Sequence, residues 1–154
     1  MALSVGDEAP TITTVDARGE PFDLSALRGR RAVVLFFFPR AFTPGCTAEA
    51  CSFRDAHAEL VAEGVEVVGV STDGADRQAR FIAEHQLPFR ILPDPAGRIA
   101  RAFGVLGRLR SVLGVAARTT FVLDRRGIVR GIFRHELLVH RHVDDVKQAL
   151  ARLS

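Results

Sequence analysis

The run Ala32-Val33-Val34-Leu35-Phe36-Phe37-Phe38, closed by Pro39, constrains this chain more than any other stretch. It is rich in β-branched and aromatic residues and has no polar face, so a strand built from it must be covered on both sides. It is far too short to cross a bilayer, and Pro39 cannot donate to a continuing ladder. A sheet covered on both faces needs helices, and the following residues supply them. Cys46 to Glu63 lacks Pro and Gly and carries Ala50, Phe53, His57 and Leu60 at helical spacing, with Gly64 as a natural stop. Val65 to Ser71 reads as a second buried strand. Thr72 or Asp73 is placed to cap a helix running to about Gln86, where Leu87-Pro88 ends it.

The remaining segments are shorter. Ile12 to Val15 and Pro21 to Leu24 flank turn residues and predict an N-terminal β-hairpin. Phe89 to Leu92 reads as a short extended piece, and Pro95 to Phe103 as a short helix opened by its proline. Periodicity does not classify Gly104 to Ala117, where glycines interrupt Val, Leu and Arg. Thr119 to Asp124 and Ile128 to Arg134 flank Arg125-Arg126-Gly127 as an antiparallel hairpin. Val143, Val146, Leu150 and Leu153 make the last helix amphipathic. Strands alternating first with helices and then with a hairpin predict an α/β fold, a mixed sheet with helices on both faces. A length of 154 residues suits one domain.

Charge narrows the partners. Lys and Arg number 21 against 18 Asp and Glu, giving a net charge of only +3, and Trp and Tyr are absent. The arginines are scattered, whereas a nucleic-acid binder gathers them on one face with aromatic rings for stacking. No basic start followed by an apolar stretch opens the chain, so a secretory signal is not expected and the cytoplasm is. Two cysteines five positions apart are too few for a disulfide framework, and in a reducing compartment they suggest metal or redox chemistry.

Cys46 falls just beyond the central strand, in the first turn of the following helix. Ligands gather at the carboxyl ends of strands in open α/β sheets, and the unpaired N–H groups and dipole of a helix start stabilise an anion. A thiolate benefits from both. The plainer reading is an inert, buried cysteine packing as a small hydrophobe.

The segment Pro39-Arg40-Ala41-Phe42-Thr43-Pro44-Gly45-Cys46 resembles the active-site motif of peroxiredoxins, a Pro, three residues, a Thr, two residues and the peroxidatic Cys. Its continuation, Cys46-Thr47-Ala48-Glu49-Ala50-Cys51-Ser52-Phe53-Arg54-Asp55, is similar to the bacterioferritin comigratory protein, or peroxiredoxin Q, branch, whose resolving Cys sits five residues later in the same helix. Arg118-Thr119-Thr120-Phe121-Val122-Leu123-Asp124 resembles the family's second block, whose leading Arg completes the active site, and Val5-Gly6-Asp7-Glu8-Ala9-Pro10 is also family-like. The resemblance implies a thioredoxin fold and a metal-free, cofactor-free reaction with hydrogen peroxide or alkyl hydroperoxides. It further implies that Cys46 is the peroxidatic nucleophile and Cys51 the resolving thiol, recycled by thioredoxin or a similar dithiol. A monomer or homodimer is expected, with neither nucleic acid nor membrane as a partner.

These residue types suit that chemistry. A thiol of pKa near 8.5 is only about 3% thiolate at pH 7, so lowering it to about 6 raises the reactive fraction roughly thirtyfold. The accompanying loss of intrinsic nucleophilicity is roughly tenfold if a thiol-exchange slope applies, which leaves a gain of only a few-fold. Rate must therefore come mainly from stabilising the peroxide oxygens as their bond breaks. Arg118 brings a fixed cation with several donors, Thr43 a hydroxyl, and Cys46 its backbone N–H, while Pro39 and Pro44 stiffen the loop. Each has a duller reading: Thr43 as a helix cap, Arg118 as a solvated charge, and Glu49 as an acid favoured by the helix dipole rather than a partner for an Arg.

Three other functions compete. The same cysteines can serve as a peroxide-sensing thiol switch that does not turn over rapidly. A thiol-disulfide oxidoreductase more usually carries C-x-x-C, whereas the spacing here is C-x4-C. His135-Glu136-Leu137-Leu138-Val139-His140 nearly reads as the H-E-x-x-H zinc motif, but residues at i and i+5 point about 140° apart on a helix. Exposed histidines, His142 among them, in a loop leading into the last helix are therefore expected.

Overall fold

The computed structural model describes residues 3–105, 118–134 and 141–153. The apolar run forms strand β3 (Ala32–Phe37), preceded by the antiparallel hairpin of β1 (Thr13–Val15) and β2 (Pro21–Asp23) and a 3-10 turn at Leu24–Leu27. Helix α1 (Pro44–Ala62) leads to β4 (Val65–Ser71), α2 (Ala75–His85), β5 (Arg90–Pro93) and α3 (Arg98–Ala102). Then come β6 (Thr119–Leu123), β7 (Val129–Phe133) and α4 (Arg141–Ala151). The main sheet has the order β5-β4-β3-β6-β7, with β3 parallel to β4 and antiparallel to β6. Among the described residues no helix is long and apolar enough to cross a membrane.

All six residues of β3 are buried, as a central strand without a polar face requires. Alternation sends Val34, Phe36 and Phe38 to one core with Ala50, Phe53 and Leu60 of α1, Phe81 of α2 and Val146 of α4. Val33, Leu35 and Phe37 go to the other core, with Phe22, Ile99, Phe103 and Phe121. Phe36 stacks on Phe53 at 4.7 Å between ring centroids. The close packing of these rings depends on Gly69 opposite Phe36, since a Cβ there would lie 2.9 Å from Phe36 Cζ and 3.3 Å from Phe38 Cε1. Gly69→Ala is expected to cost about 1 to 3 kcal/mol by overpacking. A urea midpoint equal to that of the wild type would show that the rings give way freely.

Several helix starts differ from the expectation. Helix α1 begins at Pro44, with Thr43 at its N-cap, because proline at the first helical position has no N–H to lose. Gly64, at φ +78°, ends it as expected. Neither Thr72 nor Asp73 caps α2; Gly74 is its N-cap without a side-chain bond, and Asp73 is engaged elsewhere. Pro95 does not open α3, which spans only Arg98–Ala102; Asp94 takes the N–H groups of Ile99 and Ala100 at 3.0 and 2.9 Å. The 106–117 part of the unclassified Gly104 to Ala117 segment and the whole His135 to His140 motif lie outside the described residues.

Candidate active site

Antiparallel pairing places Thr119 opposite Phe37, so Arg118, just before β6, sits beside the end of β3 where the chain turns into α1. A separation of 72 residues thereby closes to a contact: Arg118 Nη2 donates to Cys46 Sγ at 3.3 Å. Cys46 is a free thiol, 1% exposed. It lies in the first turn of α1, ahead of the first ladder bond, from Thr47 N–H to Thr43 C=O. Its backbone N–H is thus one of the donors that a helix start leaves without an intrahelical acceptor.

Arg118 is buried rather than solvated, and its Nη1 meets Glu49 Oε1 at 3.2 Å. Burial, the largest single influence on it, opposes its charge, yet the neighbouring Cys46 and Glu49 outweigh burial and hold its pKa above the ordinary arginine value. Its Nε has no hydrogen-bond partner among the described residues. Glu49 is fully buried and, because α1 begins at Pro44, lies beyond its first turn, so it is a partner for Arg118 rather than an acid favoured by the helix dipole.

The loop before α1 is held from outside. Asp73 Oδ2 accepts from Ala41 N–H at 2.7 Å and Arg77 Nη2 donates to Ala41 C=O at 3.0 Å, while Arg77 and Asp73 pair at 3.1 Å. Phe42 has φ +66°, a strained conformation for an aromatic residue. Its ring is gripped by Phe81, edge on at 5.2 Å, and by the Arg77 guanidinium at 5.1 Å. Thr43 supplies no side-chain cap; its hydroxyl donates to Arg40 C=O at 2.9 Å. Pro39 is half-buried in the bend after β3.

Cys51, half-buried and also free, faces away from this cluster, with Sγ 4.0 Å from His85 Nδ1 at the end of α2. Sequence reasoning missed the roles of Asp73 and Arg77, which leave no periodic signal. It also misplaced His142, which is fully buried in the first turn of α4 rather than exposed in a loop. The ring lies 3.4 Å from Glu49 Oε2 through Nε2 and 2.6 Å from Thr120 Oγ1 through Nδ1. Its spacing to Val146 and Ala149 is the signal that places it on the apolar face of the helix.

Residues 5–132 match the model of the AhpC/TSA family. The chain is similar to the chloroplastic peroxiredoxin Q of Sedum lineare, with 34% identity covering 98% of this chain and 80% of that one. In structure it is similar to peroxidoxin BcpB of Mycobacterium tuberculosis, with a TM-score of 0.89, 35% identity and 99% of each chain covered. It is also similar to the bacterioferritin comigratory protein of Xanthomonas campestris, solved in a study of its alkyl peroxide reduction activity. There the TM-score is 0.83 and the identity 28%, covering 92% of this chain and 91% of that one.

Proposed function

The chain belongs to the AhpC/TSA family, as a thioredoxin-fold peroxiredoxin enzyme of the peroxiredoxin Q and bacterioferritin comigratory protein branch, and from that premise we propose that Cys46 reduces hydrogen peroxide and organic hydroperoxides and that Cys51 resolves the product. The contact of Arg118 with the buried Cys46 sulfur carries this reading. The Cys46 thiolate attacks one peroxide oxygen, the O–O bond breaks, and the other oxygen leaves as an alcohol or water after taking a proton. Arg118 and the Cys46 N–H stabilise the charge that moves onto the departing oxygen. Thr43, with its proton committed to Arg40, accepts a hydrogen bond from the peroxide, and Pro39 helps to exclude water from the sulfenic acid.

The sulfur of Cys51 then attacks the Cys46 sulfenic acid. The S–S bond forms, the S–O bond breaks, and the hydroxide leaves as water with the proton of the Cys51 thiol. Both cysteines lie within the unbroken α1 helix. Five helical residues advance about 7.5 Å and turn about 140°, which sets Cα atoms roughly 8.7 Å apart, beyond the roughly 7 Å that a disulfide tolerates. The first turns of α1 must therefore open before the bond can form. A dithiol of the thioredoxin type then exchanges with the exposed disulfide. Such recycling belongs to a reducing compartment, and the cytoplasm fits it.

Peroxide is expected to give one intramolecular Cys46–Cys51 disulfide, seen by mass spectrometry, and to be consumed in turnover with thioredoxin and its reductase. Hydrogen exchange should quicken at Thr47 to Phe53 in the oxidised protein, while Ala32 to Phe38 stays protected. Cys51→Ser should stop at sulfenic acid or overoxidise, without that change. Purely intermolecular disulfides, or a helix still protected after oxidation, would remove Cys51 from the mechanism, and oxidation without turnover would favour a thiol switch.

A further inference from the structure

Arg118 immediately precedes β6 and Thr120 is its second residue, and a circuit of buried side chains joins them through two helices. Arg118 Nη1 meets Glu49 Oε1 of α1 at 3.2 Å, Glu49 Oε2 meets His142 Nε2 of α4 at 3.4 Å, and His142 Nδ1 meets Thr120 Oγ1 at 2.6 Å. The circuit returns along the strand to Arg118, whose Nη2 holds the Cys46 sulfur. Resting on the reading of Cys46 as the nucleophile, we propose that His142 is a positioning residue for peroxide reduction, acting through Glu49 on Arg118.

The argument is one of torsions. The carboxylate of a glutamate turns about a soft terminal bond with a broad minimum, so a contact at one oxygen does not fix its plane. A contact at each oxygen does. The guanidinium of Arg118 is planar, and its Nη1 and Nη2 move as one rigid fork. A carboxylate that swings carries Nη1 with it and thereby shifts Nη2 from the sulfur. His142, 3.4 Å from Oε2 at ion-pair distance rather than in hydrogen-bonding geometry, restrains that swing, and Thr120 holds the imidazole from β6, opposite Phe36 in the buried centre of the sheet.

The two contacts of the imidazole can be separated by substitution. His142→Gln brings an amide N–H to the place of Nε2 and keeps the grip on Glu49. His142→Asn is too short to reach Glu49 but retains a polar group where Nδ1 meets Thr120. The rate of Cys46 oxidation by limiting hydrogen peroxide, followed by quenched flow and mass spectrometry, is expected to fall about tenfold in H142N, well short of the roughly 10²-fold that a misplacement of about 1 Å can cause. In H142Q it should stay within about twofold of the wild type, and in a Glu49→Gln background the H142N loss should largely vanish, as coupling through Glu49 requires. Should H142N not fold, Thr120→Val releases the ring from its other side and is expected to slow oxidation in the same direction, by less. Equal rates in H142N and H142Q, an H142N loss undiminished in the Glu49→Gln background, or a wild-type rate in Thr120→Val standing in for an unfolded H142N would overturn the role of His142. If peroxide consumption survives Cys46→Ser, the assignment of the nucleophile fails instead, and the two failures are distinct.

Discussion

Cys46→Ser is expected to abolish peroxide reduction while the protein stays folded. The reactive species is a thiolate, and a serine hydroxyl is scarcely ionised at neutral pH, so neither the first turn of α1 nor Arg118 can turn it into a comparable nucleophile. The substitution exchanges one small buried atom for another, and circular dichroism should show the same fold. Cys51 is the only other cysteine in the chain and faces His85, not Arg118, so it lacks the buried cation that makes Cys46 distinctive. The measurement is peroxide consumption under limiting enzyme, with mass spectrometry following both cysteine positions. Turnover near the wild-type rate would place the nucleophile elsewhere.

Arg118→Ala is expected to slow the oxidation of Cys46 by about 10²- to 10³-fold, the scale for removal of one preorganised transition-state donor. Two losses combine. On the proposed mechanism the departing oxygen loses its cation, and the Cys46 sulfur loses the donor 3.3 Å away. The same change leaves Glu49 buried without its guanidinium, at a cost to stability of about 3 to 5 kcal/mol. Arg118→Lys separates the two effects, because an ammonium keeps the charge but cannot hold Glu49 and the sulfur with one planar fork. Its rate should fall between those of the wild type and the alanine variant, at a melting temperature nearer the wild type. An unchanged second-order rate in a folded Arg118→Ala protein would reduce Arg118 to a structural ion pair.

Much of the fold was legible in the sequence because the determining forces are local. The Ala32 to Phe38 run can be buried only as a central strand, and its observed limits differ from the expected ones by a single residue. Val65 to Ser71 matches throughout, since the glycine before it and the apolar run within it define both ends. The helix starts were read less well. Asp73 has the composition of a cap, but its carboxylate takes the hydroxyl of Ser71, two residues back, and the N–H of Ala41, which only the folded sheet brings near. Asp94 likewise caps α3 from outside the helix, so the proline next to it misled.

At the site, the chemistry on offer was readable from local pattern alone. That pattern put a thiol in the first turn of a helix at the end of a buried strand; the motif around it named Pro39, Thr43, Cys46 and Cys51, and a second block named Arg118. Those features depend on residues close together in the chain, or on a pattern that local reading can match. Which groups meet the sulfur, and what holds them, depends on long-range packing. The register of β6 against β3 brings Arg118 across 72 positions to Cys46, the end of β4 and α2 clamp Ala41 and Phe42, and the packing of α4 turns His142 inward onto Glu49. A histidine one residue into a helix can face water or core with equal local propensity. The choice belongs to the apolar face of the whole helix and to the buried carboxylate that waits beneath it, both of which exist only once the chain has folded.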